Sequence, residues 1–78
     1  MAKPKEVTDL YLINTPVEDL LDNEQISFKG ESERDRHISV MKFTRVRNIL
    51  IRYSQAFSKD EFNDLMEFLK QFVVIKKE

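Results

Sequence analysis

Residues 32–73, SERDRHISVMKFTRVRNILIRYSQAFSKDEFNDLMEFLKQFV, decide how this chain folds. No glycine or proline interrupts them, so no residue in the stretch breaks a helix by its backbone chemistry. Ser32 is a helix-capping residue, and Glu33 and Asp35 follow it in the first turn, where acids favour the positive end of the helix dipole. At about 100° per residue, Ile38, Phe43, Val46, Ile49, Leu50, Tyr53, Ala56 and Phe57 fall within one arc. From Ile38 to Phe57, Lys42 is the one charged residue in that arc, and its long stem lets the ammonium reach water. The pattern predicts an amphipathic helix over 33–57, firmest after Lys42, because Ile38 and Val40 also alternate like a strand.

Ser58-Lys59-Asp60-Glu61 then reads as a capping box, with Phe57 and Phe62 placed to form a hydrophobic staple. Beyond it, Phe62, Leu65, Met66, Leu69, Phe72 and Val73 form an apolar stripe at helical spacing, opposite Asp60, Asp64, Glu67 and Gln71. Almost nothing separates the two helices, so the expected arrangement is an antiparallel hairpin with the apolar stripes joined and the arginines outward.

Upstream the signals are shorter. Residues 1–6 read as a mobile N-terminus. Val7 to Ile13 suits either a short strand or a helical turn. Thr15-Pro16-Val17-Glu18 predicts a short helix capped by Thr15, with Pro16 in its first position, Glu18 closing a capping box, and Leu20 and Leu21 turned inward. Residues 24–31 read as a loop, with a strand around Ile26 and Phe28 as the alternative. The expected fold is therefore mainly α, a short N-terminal helix plus an antiparallel helical hairpin in one small domain over 7–78. The alternative is α+β with short strands near 7–13, 25–29 and 72–76.

Composition narrows the chemistry. The 78 residues are 41% hydrophobic, too apolar for a disordered tail and too polar for a membrane protein. With no cysteine, there can be no disulfide framework, thiolate zinc site or cysteine nucleophile. His37 is the only histidine and Gly30 the only glycine, which argues against multi-histidine metal sites and glycine-rich phosphate loops. No run is long enough to read as a signal peptide or membrane span, and cysteine-free chains fit a reducing compartment, so a cytoplasmic location is expected. A core this small is marginal without staples, so a homo-oligomer, most simply a homodimer, is expected.

Charge is arranged in blocks although its sum is only −1. Residues 1–33 carry three basic and eight acidic groups; residues 34–59 carry seven basic groups against Asp35 alone. On the long helix Arg34, Arg45 and Arg52 line one edge of the apolar stripe, and Arg36 and Arg47 lie near the other. Guanidinium groups suit phosphate or carboxylate forks, so these five residues are the predicted anion- or partner-binding set. The plainer alternative is a face that meets solvent or pairs with acidic helices. Val40 and Ile51 project together from the more polar side and are the predicted interface pair.

Catalytic readings are weaker. Asp60, Asp64 and Glu67 share a helical face, but acids in early helix turns are ordinary, as is the group Asp19, Asp22 and Glu24. His37 has only Asp35 nearby in sequence, and Met41 and Met66 read as core fillers. A chain this short has little room for a small-molecule substrate pocket. No enzyme activity, catalytic residue, metal or cofactor is expected. The sequence points to a non-catalytic helical module that binds another protein or itself, as a regulator, inhibitor or assembly subunit. The alternative is nucleic-acid binding through the arginine-bearing face of helix 33–57. A membrane-surface role ranks last, because the stripe from Phe62 to Val73 can cover the apolar face.

Overall fold

The computed structural model describes residues 7–76; the expected mobile N-terminus at 1–6 lies outside the described residues. Two short helices, α1 (Asp9–Asn14) and α2 (Val17–Asp22), lead into a strand, β1 (Ile26–Phe28). The long helix α3 (Glu33–Arg52) follows, then a single 3₁₀ turn at Ser54–Ala56, helix α4 (Lys59–Lys70) and a second strand, β2 (Val73–Ile75). The fold is thus mainly α with a small two-stranded sheet. The strands pair antiparallel with Ile26 opposite Ile75, Ser27 opposite Val74 and Phe28 opposite Val73. Backbone bonds from Lys29 N–H to the Phe72 carbonyl (3.0 Å) and from Lys76 N–H to the Gln25 carbonyl (2.7 Å) extend the ladder at both ends.

Local chemistry places the helix starts where the sequence puts them at Ser32 and Ser58. The Ser32 hydroxyl accepts from the Asp35 N–H at 3.1 Å. At Ser58 both halves of the capping box form: the Glu61 N–H donates to the Ser58 hydroxyl (3.2 Å), and the Ser58 N–H donates to the Glu61 carboxylate (3.1 Å). Those bonds hold the Glu61 carboxyl below its ordinary pKa.

At the N-terminal end the structure decides one reading and corrects another. Of the strand and the helical turn open for residues 7–13, the helix forms over 9–14, its start capped by the Thr8 hydroxyl, which accepts from the Tyr11 N–H at 3.1 Å. Thr15 does not cap α2. It ends α1, donating its N–H to the Tyr11 carbonyl, in the extended conformation imposed on a residue before proline. Pro16 is then the N-cap of α2, and no side chain caps that helix. Leu20 is fully buried while Leu21 stays 56% exposed, because a six-residue helix turns only one narrow stripe to the core.

Ten residues form the core: Leu12 and Ile13 from α1, Leu20 from α2, Ile26 and Phe28 from β1, Phe43 and Leu50 from α3, Met66 and Leu69 from α4, and Val73 from β2. The Phe28 and Phe43 rings meet edge to face with centroids 5.3 Å apart. This sheet contact rotates α3 away from the expected face. Phe43 and Leu50 are buried, and Val40 and Val46 pack half-buried beside the core, whereas Ile38, Ile49 and Tyr53 point outward. Both α4 and β1 pack against this helix, so its inward face has to serve the two together. α3 also stops at Arg52, not Phe57: Tyr53 closes it, and the 3₁₀ turn brings Phe57 back against the core.

Gly30, the one glycine, sits at φ 151° where the loop after β1 passes the start of α3. A Cβ there would lie 2.5 Å from the Arg36 nitrogen, so neither the conformation nor the space admits a side chain. The described residues form a thin body of 37 × 35 × 18 Å, and none of its helices is long and apolar enough to cross a membrane.

Candidate partner-binding face

The five arginines of α3 divide into two groups with different work. Arg47 turns inward and is half-buried, while Arg36 stays exposed but spends its guanidinium on the chain's own backbone. The Arg36 guanidinium donates to the carbonyls of Gly30 (3.3 Å) and Glu31 (3.4 Å), tying the glycine loop to the helix. Arg47 donates to the Leu12 carbonyl (3.3 Å) and to the Thr15 carbonyl, so its charge meets the negative end of α1. Its Cζ also lies 5.7 Å from the centre of the Phe43 ring. Burial lowers the Arg47 pKa from its ordinary value, and its Nε is buried with no hydrogen-bond partner. The expectation of five outward guanidiniums therefore fails at Arg47, and Arg36, though exposed, is bonded to the chain's own loop. Carbonyls of the glycine loop and at the end of α1, 5 to 35 residues away in sequence, need donors, and these two side chains supply them.

Arg34, Arg45 and Arg52 do point outward. Arg52 lies with its Cζ 5.9 Å from the Tyr53 ring. Among the described residues no arginine makes an ion pair within 4.0 Å; the pairs that form join Lys70 to Asp9 (2.7 Å) and to Glu67 (3.8 Å). Asp9 on α1 holds the Lys70 ammonium above its ordinary pKa and locks α1 to the end of α4.

Between the outward arginines lie apolar side chains that pattern reading assigns to the core or to core filling. Ile38 is 41% exposed, Met41 51% and Ile49 44%. Together, Arg34, Ile38, Met41, Arg45, Ile49 and Arg52 form one row at helical spacing along the outside of α3. Beside this row, α3 and α4 enclose an open groove of about 280 Å³. Lys42, Arg45, Val46, Phe68, Gln71 and Phe72 line it. The Phe68 and Phe72 rings stack edge to face at 5.4 Å along its α4 side, and Phe68 is 46% exposed. Phe68 is not singled out by sequence, because it falls just outside the apolar stripe of its helix. The available signal was the width of the apolar arc on α3, broader than one neighbouring helix can cover.

The predicted interface pair does not stay together. Val40 packs half-buried against the core, while Ile51 remains 50% exposed on the far side of α3 from the groove. Both lie on one line of the helix, so the difference is in what stands beside each: core residues pack against Val40 and leave Ile51 open. Among the described residues, no group of three or more histidine, aspartate or glutamate side chains is gathered to hold a metal ion. Comparison with protein-family models, with curated proteins and with solved structures gave no match for this chain.

Proposed function

We propose that this chain is a non-catalytic binding module that docks another protein on the outer face of α3 and the adjoining groove. One observation carries the reading: unpaired arginines alternate with exposed isoleucine and methionine along one row, beside an aromatic groove. Solvent-facing helices ordinarily carry polar residues there, and clustered exposed apolar side chains rimmed by charge are characteristic of interfaces. Arginine and methionine are also enriched where proteins meet. The chain acts as a regulator, inhibitor or assembly subunit in a reducing compartment such as the cytoplasm, in keeping with its lack of cysteine.

Affinity capture from the native host, with the chain as bait and Ile49→Asp and Arg45→Glu variants in parallel, tests this. A partner retained by the wild type and lost from both variants, with circular dichroism unchanged, supports docking at this face. A partner retained equally by all three chains refutes it. The charge of Arg34, Lys42, Arg45 and Arg52 on the same side favours nucleic acid as the second reading. That reading requires a gel shift that weakens steeply between two salt concentrations, because phosphate contacts release counterions.

A further inference from the structure

We propose that the outer row of α3, with its groove against α4, receives an acidic amphipathic helix from another protein. This inference rests on the binding-module reading and adds the shape and charge of the partner.

Spacing argues for a helix. From Arg34 to Arg52 the row advances by four, three, four, four and three residues, the mean step of an α-helix. The row therefore runs nearly straight along the helix axis for about 27 Å, one side chain per 5.4 Å turn. A second helix laid alongside offers side chains at the same interval. A strand offers them about every 6.7 Å on one face, and over five steps it slips by about 6.5 Å, nearly a whole side-chain interval.

Charge and groove define that helix further. Arg34, Arg45 and Arg52 alternate with Ile38, Met41 and Ile49, and Lys42 stands on the groove side. A matching surface interleaves carboxylates with apolar anchors. The groove of about 280 Å³ admits one large anchor, since roughly 150 Å³ is enough for benzene. Phosphate backbones satisfy the arginines but leave Ile38, Met41, Ile49 and Phe68 facing a charged, hydrated chain, so nucleic acid fits the face less well.

A second copy of this chain fits poorly. Setting the row antiparallel to itself brings Ile38 opposite Ile49 but also Arg34 opposite Arg52 at both ends. Setting it parallel and in register places every arginine against its own copy. Like charges directly opposed destabilise both arrangements, so the self-association expected from the chain's size would need another surface.

The test uses the full chain and a display library of helical peptides of roughly 20 residues, about 30 Å long. Flanking positions vary among Glu, Gln and Lys, and anchor positions among Leu, Phe and Ala. Selection should enrich Glu beside Leu or Phe, with soluble peptides binding about tenfold more weakly to Arg45→Glu or Ile49→Asp. Changing the facing Glu to Lys should restore binding to Arg45→Glu. Enrichment of Lys, no enrichment at all, or binding untouched by either variant overturns the proposal. So does a DNA duplex of similar length that competes as strongly as the selected peptides. If host-partner capture is lost with Ile49→Asp while the library enriches no acidic helix, only the partner chemistry is wrong. If capture is also unaffected, the binding face itself is wrong.

Discussion

Arg45 and Arg47 stand two residues apart on one helix and carry the same guanidinium, yet they do opposite work. Arg47 turns inward, gives its donors to the Leu12 and Thr15 carbonyls and lies over Phe43. Arg45 turns outward to the groove and pairs with no acid among the described residues. The same contrast separates Phe43 from Ile49: the first is fully buried, the second 44% exposed. On this helix the role of a side chain follows from its angle about the axis, and that angle acquires meaning only from what packs against it.

The contrast breaks most sharply at the apolar pair. Phe43→Ala should cost about 3–5 kcal/mol, because it leaves a cavity between β1 and α3. Ile49→Ala should stay within about 0.5 kcal/mol, since no core is opened. Urea unfolding of both variants checks this, and similar losses from the two would erase the distinction between inner and outer faces. Next in size is the arginine pair. Arg47→Ala removes charged donors from two carbonyls at the end of α1 and should cost about 1.5–3 kcal/mol, while Arg45→Ala should change stability by less than about 0.5 kcal/mol. Amide exchange should locate the Arg47 loss in residues 9–15. Uniform acceleration across the whole chain would mean that the tie is not local to α1.

The smallest effect belongs to an interaction that needs no tertiary partner. Glu61 is bonded to the Ser58 N–H, and its carboxyl pKa lies below the ordinary 4.5. Its stabilising charge is therefore fully present above pH 4.5 and is lost as pH falls through the lowered folded value. Melting temperatures of wild type and Glu61→Gln should differ most above that pH and converge below it. A difference that stays constant down to strongly acidic pH would remove the charge from the account of this cap.

The capping boxes mark where sequence reading succeeds and where it stops. At Ser58 the residues that bond are three apart, and the structure forms the predicted pair in full. At Thr15 the same grammar fails. The Pro16 ring holds Thr15 extended and α1 claims its N–H, so the carbonyl is left for Arg47, 32 residues away. The strands were foreseen only as alternatives at 25–29 and 72–76, because three residues carry too little periodicity to choose between strand and loop. Of the predicted binding arginines, Arg34, Arg45 and Arg52 remain on the outer face, while Arg36 and Arg47 hold the chain's own backbone.

The order of residues alone settled the two principal helices, their starts at Ser32 and Ser58, and the mainly helical class, since caps and apolar spacing act within a few residues. Tertiary structure decided which way α3 faces. Its inward side is set by α4 together with a sheet whose two strands come from before α3 and after α4, and no local pattern encodes that direction. The turn that buried Phe43 also brought Ile38, Met41 and Ile49 out among the arginines.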